Sequence, residues 1–398
     1  MSLIVDPVLD LAAFGCARRG ASHKSEADPK PCQDSHLILS GSSAGAPYCI
    51  AAVADGHGSE KHDRSQIGSF LAVQAAARAL LEFHGAFAGA GITTLRRSFT
   101  SDFPRRASRA WQADVRCHYL QDNPEPPGKS PGSAPDYRPV YSRYGSTLLA
   151  AMIVNDTLLL AQVGDGDIVL ILDGGGAEQP LAAPDSLVGG ETFSLCSPDA
   201  QNLWRTATVE LHSVRFLALS TDGLRNAYEN DEPFYSLLAK MGENIEEFGA
   251  RKSAGVVPDY LDRFSLRGSG DDITLVGIQL GKRAAAAHQP EPISPQAASQ
   301  AQAPAPAPAA APDATVPSSI SMAATAPLPP WAGARSGANT GAGAASSPPP
   351  PAPAQSAPPG APAGQSPFEA FRLYPAPRSP QPRPPLPDEE EEPPAPIV

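Results

Sequence analysis

The sequence is short of three things: paired cysteines, positive charge and long apolar runs. Five cysteines, Cys16, Cys32, Cys49, Cys117 and Cys196, are scattered and odd in number. Their spacing matches no zinc motif and supports no secreted disulfide framework, so a reducing, cytoplasmic setting is the simpler expectation. Lys and Arg total 30 against 42 Asp and Glu, a formal net charge of −12. That balance argues against nucleic acid as a default partner, because phosphate backbones recruit basic patches. It informs solubility and steering rather than fold. The most apolar stretch, Thr147 to Val163, is interrupted by Asn155-Asp156, so no membrane span is expected. The opening residues MSLIVDPVLDLAAFG carry Asp6 and Asp10 without a basic start, which makes a poor signal peptide. No internal repeat is visible.

What is present divides the 398 residues in two. About two-thirds of the 46 prolines lie beyond Ala284. Residues 1–283 have ordinary globular composition, long enough to bury a sizeable core. Residues 284–398 are rich in Pro and Ala with too little apolar periodicity to offset chain entropy, and a disordered tail is expected there. In the first part, β-type runs occur at His36–Leu39, Tyr48–Ala54, Ser146–Val154, Thr157–Val163, Ile168–Leu172, Val214–Ser220 and Ile273–Leu280. Asn155-Asp156 between two of them predicts a hairpin turn and antiparallel pairing. Helical spacing is found over Ser65–Phe87 and Thr94–Leu120, with Pro104 expected to break or bend the second. A third helical region falls within Pro233–Phe264, and Asp122–Pro139, dense in Pro, Gly and Ser, reads as a loop. Strands, then helices, then strands predict a layered α+β fold.

Four apolar strands carry an acid at one end: "AAVADGHG", "AQVGDGD", "FLALSTDGL" and "GSGDDITLVGI". Asp34 in "PCQDSH" precedes a further strand. One Asp-Gly alone is a turn. Several carboxylates at strand tips, beside glycines that let backbone approach closely, can converge into an oxygen-rich pocket. Hard divalent cations such as Mg²⁺ or Mn²⁺ take that environment.

Asp55-Gly56-His57-Gly58, Gly145-Ser146-Thr147, Val163-Gly164-Asp165-Gly166, Thr221-Asp222-Gly223-Leu224 and Asp271-Asp272-Ile273-Thr274 occur in that order. The ordered set resembles the type 2C metal-dependent protein phosphatases, and "GASHKSEADPKPCQDS" resembles the start of a bacterial branch of that family. The resemblance implies a four-layer α-β-β-α sandwich of two mainly antiparallel sheets. It implies a phosphoserine and phosphothreonine phosphatase using two Mn²⁺ or Mg²⁺ ions, with a third ion an option. Asp55 would bridge both metals and the Gly56 carbonyl would bind one. Asp222 and Asp271 would hold the other, and Asp34 would orient metal-bound water or bind directly. Asp165 would join Asp222 at the third site, and a mobile substrate-facing flap would fall within Gly174–Leu211.

The resemblance implies a mechanism in which the metal pair would supply a hydroxide for in-line attack on phosphorus. His57 is the candidate general acid, since an imidazole near its ordinary pKa suits protonation of the leaving oxygen. The chain also departs from the family pattern. Gln33 stands where relatives often carry Glu, and no Arg lies where many grip phosphate. Lys24, Lys30, Arg18, Arg19 and His23 are nearby, and none is assigned as the clamp. Asp167 replaces a frequent Arg and is expected to change local ion pairing. Asp272 reads equally as a support for the metal site or a solvated loop acid; Thr147 and Thr274 read as buried structural hydroxyls.

The partners expected are phosphorylated proteins, including targets of a Ser/Thr kinase. The rival reading is a catalytically weak or inactive phosphatase-like scaffold that binds phosphoproteins, and a phosphatase for small phosphoesters is a third. In the tail, "LPPWAGARSG" and "SPFEAFRLYPAPRSP" are aromatic islands of the kind that order on a docking partner.

Overall fold

The structure, a computed structural model, describes residues 1–24, 29–43, 45–127, 134–181 and 193–281. The expected domain boundary at 283, the tail and its aromatic islands lie outside the described residues. Two antiparallel sheets make the centre. One has the strand order β3 (Ser35–Ser43), β4 (Ala46–Ala54), β5 (Leu148–Val154), β6 (Thr157–Val163), β9 (Arg205–Glu210). The other runs β1 (Ser2–Asp6), β2 (Leu11–Arg18), β11 (Ile273–Leu280), β10 (Val214–Ser220), β7 (Asp167–Leu172), β8 (Ala177–Glu178).

Side chains alternate between the two faces of a strand, and here both faces are covered. Cys49, Ala51 and Val53 of β4 face the opposing sheet with Leu149, Ala151 and Ile153 of β5, meeting Leu217, Leu219, Val276 and Ile278. The intervening Ile50, Ala52 and Ala54 join Leu148, Ala150 and Met152 under helices α1 (Ser65–Ala86) and α2 (Ile92–Asp122). Phe216, Ala218 and Leu275 on the far side of the other sheet pack beneath α5 (Asp231–Phe248) and α6 (Ala250–Phe264). Two short α-helices, α3 (Arg138–Arg143) and α4 (Asp222–Arg225), complete the α-helices among the described residues. The layers are therefore helix, sheet, sheet, helix, as the family resemblance implies. Double coverage is also why β4 and β5 are apolar without alternation.

Small residues bring α1 close to its sheet: Ala72, Ala75, Ala76 and Ala79 are buried there. A Cβ on Gly68 would stand 1.8 Å from the Tyr144 carbonyl oxygen, so only glycine admits that approach. The α2 assignment runs on through Pro104. The carbonyl that this proline leaves without a helix partner is that of Thr100, an exposed residue that water can serve. The third helical region is two helices, because Gly249 takes φ +83° between α5 and α6. No described helix is long and apolar enough to cross a membrane.

Trp111 on α2 is fully buried and its Nε1–H donates to the Gly68 carbonyl at 3.0 Å. Trp111→Ala should cost ~3–5 kcal/mol through the cavity it opens. Urea denaturation measures this, and a loss below about 1 kcal/mol would mean that the helical layer packs otherwise.

Candidate metal centre

Strand register brings the acids together. β3 pairs with β4 so that Ser35 faces Ala54, and one step further sets Asp34 across from Asp55. β10 pairs with β7 so that Ser220 faces Asp167, and beyond this pair Asp165 stays close enough to act on the Asp222 carboxyl. β11 lies on the other side of β10, and Asp271-Asp272 lead directly into it. One sheet thus delivers Asp34 and Asp55 and the other delivers Asp165, Asp222 and Asp271.

Backbone contacts fix the tips. The Asp55 N–H donates to Thr147 Oγ1 at 3.0 Å, while the Thr147 N–H donates to the Asp55 carbonyl at 2.8 Å. Gly56 bridges to Ser146, and a Cβ on Gly56 would lie 2.7 Å from the carbonyl oxygens of Gln33 and Ser65. Thr147 is thus a structural hydroxyl, as expected. Asp222 opens α4, and Gly223 packs on the Asp272 carbonyl, which a Cβ would meet at 2.1 Å.

The carboxyls load one another electrostatically. Burial raises the Asp55 carboxyl well above the usual range, and the charges of Asp34, Asp222 and Asp271 raise it further. The Asp55 and Asp222 carboxyls act directly on one another. Asp222 is pushed up to about 6 by burial, then by Asp165 and Asp271. Burial also raises Asp271. Asp34 is raised by burial and then by Asp272, against the hydroxyls of Thr221 and Thr274. Its Oδ2 accepts from Thr221 Oγ1 at 2.9 Å, and its buried Oδ1 has no partner among the described residues.

Among the described residues, no three carboxyl, imidazole or thiol groups already stand at the spacing that closes on an ion. The donor set nevertheless fits a hard cation: all-oxygen, mutually repelling, with an unpartnered buried oxygen on Asp34. Asp55, Gly56 and Asp271 line a cleft of about 270 Å³ together with Gln33, His23 and Asp272.

Gln33 is buried. Its Nε2 donates to the His57 carbonyl at 3.1 Å and to Ser65 Oγ at 2.6 Å, and its buried Oε1 is unpartnered among the described residues. A carboxylate there would set an acceptor against the His57 carbonyl, so the amide is the matching group. The solvated alternative for Asp272 does not hold, since that residue is 3% exposed. Asp272 accepts from the N–H of Gly20 at 2.5 Å, the N–H of Gln33 at 2.6 Å and His23 Nδ1 at 2.9 Å. Sequence reasoning left its role open because these partners are remote along the chain.

His57 follows Asp55 and Gly56 in the chain, and its ring centroid is 4.8 Å from that of His62. Burial, then His62, lowers its imidazole to about 4, so it is neutral at pH 7. Asp167 accepts from Gln179 Nε2 at 2.8 Å, and burial raises it to about 6 against the attraction of Arg225. Of the expected flap region, β8 and β9 are strands and residues 182–192 lie outside the described residues.

The crowding has a thermodynamic sign. Asp222 holds its proton in the fold up to about pH 6, above its ordinary 3.8. The stability gained from protonation is therefore present at acid pH and lost as pH rises through about 6. In chelator-treated protein, Asp222→Asn should be more stable than wild type at pH 7 by on the order of 1–3 kcal/mol. That advantage should fade toward pH 4. Thermal melts of both proteins across this range check it, and a pH-independent difference would refute the repulsion.

The protein phosphatase 2C family profile matches residues 19–254. Among solved structures, the chain is similar to a bacterial serine phosphatase at 15% identity, covering 69% of this chain and 99% of that one, TM-score 0.44. It is similar to the serine/threonine phosphatase Stp1 from Staphylococcus aureus at 15% identity, covering 68% and 94%, TM-score 0.43. The catalytic domain of the serine/threonine protein phosphatase PstP, solved in complex with two manganese ions, is 17% identical, covering 68% and 97%, TM-score 0.40. Among curated proteins none matches. The profile spans more than half of the sequence, and this chain belongs to the protein phosphatase 2C family.

Proposed function

We propose that this chain is a metal-dependent phosphoprotein phosphatase that hydrolyses phosphoserine and phosphothreonine. The observation that carries the reading is the convergence of Asp34, Asp55, Asp222 and Asp271 from two sheets, with their carboxyls held at a cost that cations would remove. When bound, a pair of divalent cations supplies a nucleophile from water near neutral pH and offsets charge on the phosphoryl group.

Asp55 is proposed to be shared between the two ions, with the Gly56 carbonyl on one and Asp222 and Asp271 on the other. Asp34, with one oxygen taken by Thr221 and one unpartnered among the described residues, is proposed to bind directly or to orient water. Asp165, close enough to act on the Asp222 carboxyl, is the proposed ligand of a third ion, shared with Asp222. Mn²⁺ and Mg²⁺ both suit this oxygen set. Residues 1–283 are the proposed catalytic domain.

His57 is the proposed proton donor to the leaving alkoxide. Its ring is neutral at pH 7, and a phosphate dianion beside it would favour the imidazolium. His57→Ala should slow a phosphopeptide, with its poor leaving group, more than an activated aryl phosphate. Equal losses on both substrates would remove His57 from the role.

A second reading, a phosphoprotein-binding scaffold, draws support from Gln33, which contributes no charge to the metal site. Phosphopeptide hydrolysis separates the two. Turnover should require Mn²⁺ or Mg²⁺, stop with chelator and fall ~10²-fold or more in Asp222→Asn, the scale of one lost electrostatic contact to the transition state. Tight phosphopeptide binding without turnover would favour the scaffold.

A further inference from the structure

A site that accepts a phosphoryl dianion needs a positive or N–H-donating group on its wall, besides any ions. The cleft beside Asp55 and Asp271 is lined by carboxylates, an amide, serines, glycines and one imidazole, that of His23, with no Lys or Arg among the described residues. Two of the cations nearby along the chain are committed elsewhere, and Arg19 and Lys30 are not on the cleft wall. Arg18 pairs with Asp262, and Lys24 Nζ lies 3.3 Å from the same carboxylate. That acid sits on α6, outside the cleft wall. His57 is not on the wall either; its ring packs against His62, and a Cβ on Gly145 would stand 2.7 Å from its Cδ2.

His23 is held as a group built for orientation. Its Nδ1 is 2.9 Å from Asp272 Oδ1, and the Asp272 side chain is 4% exposed. Asp272 cannot swing away, because the backbone N–H groups of Gly20 and Gln33 also bind it. The backbone on either side of the ring is pinned too. The Ser22 N–H and hydroxyl both donate to the Gly270 carbonyl, at 2.9 and 2.7 Å, and the Lys30 N–H donates to the His23 carbonyl at 3.1 Å. With Nδ1 engaged by the carboxylate, Nε2 is the nitrogen left for a ligand. The side chain is 14% exposed, enough to be reached from the cleft.

We propose that His23, oriented by Asp272, is the residue that contacts the phosphoryl oxygens in this cleft, donating from Nε2 to a non-bridging oxygen. Both ring nitrogens are then engaged, Nδ1 by Asp272 and Nε2 by the phosphoryl group. This rests on the reading that the cleft receives a phosphoryl group. The imidazole makes one hydrogen bond where a guanidinium would make two, so recognition here is by a point contact whose direction Asp272 sets. Asp272 acts through His23 and is a positioning residue.

The test uses full-length protein saturated with Mn²⁺. Calorimetry gives the Kd for inorganic phosphate, and p-nitrophenyl phosphate hydrolysis gives KM and kcat. His23→Ala should raise both the phosphate Kd and KM by about tenfold or more, the scale of one hydrogen bond to a charged group. The Mn²⁺ concentration for half-activation should stay unchanged, and His23→Arg should restore most of the phosphate affinity. His23→Gln, which keeps a polar contact to Asp272, serves if the alanine variant melts well below wild type, and should show the same loss. Unchanged Kd and KM in a folded variant would overturn the proposal. So would losses that track a higher Mn²⁺ requirement, or failure of His23→Arg to rescue. A wild type that neither binds phosphate nor turns over with Mn²⁺ would instead sink the phosphatase reading on which the proposal stands.

Discussion

Repulsion among carboxyls gathered at one end of two sheets is the constraint that the rest of this fold serves. Asp55 alone feels Asp34, Asp222 and Asp271 in a desolvated setting. Left to itself, such a cluster would push its strands apart. It is held by elements with strong reasons to stay: two antiparallel sheets with apolar side chains on both faces, and a helical layer over each. The glycines at the tips are part of the same solution. Gly56 and Gly223 let backbone pass where a side chain would collide, so the acids are brought in by main chain rather than by long flexible side chains.

Much of this was legible in the sequence, for identifiable reasons. β4, β5, β6 and β10 are nearly pure apolar runs, and each ends within two residues of a Gly or Asp that stops it. The order of the Asp-Gly motifs, read with the family resemblance, placed five acids correctly at strand ends. The register did the rest: once Ser35 faces Ala54, Asp34 has nowhere to go but beside Asp55. α1 was legible to within a residue or two because its alanines and leucines keep helical spacing over a long span.

What was missed has physical causes too. β1 and β2 lie in a segment read only for targeting signals, although Leu11–Arg18 is a buried central strand. β9 is a sheet edge whose residues, RTATVE, are half-buried threonines and charges with no apolar signature. One helical region became two because a single Gly at positive φ breaks the chain direction without a proline to announce it. The roles of Gln33 and Asp272 depend on partners found at long range: Ser65 for the first, Gly20 and His23 for the second. A lone sequence does not indicate that an amide faces a carbonyl, or that a loop acid is buried.

The hairpin turns have a lopsided placement with an evolutionary meaning. The facing ends of β3 and β4 at Ser43 and Ala46, Asn155-Asp156 and the connection from Asp6 to Leu11 all lie at the end of the sheets away from the acids. There the chain can gain or lose residues without disturbing any ladder, as surface loops generally allow. An added residue inside β3 or β4 would do the opposite, sliding Asp34 past Asp55 and turning every later side chain over to the wrong face. Length variation in homologues of this domain should therefore pile up at one pole of the molecule and be nearly absent within the strands that lead to the other.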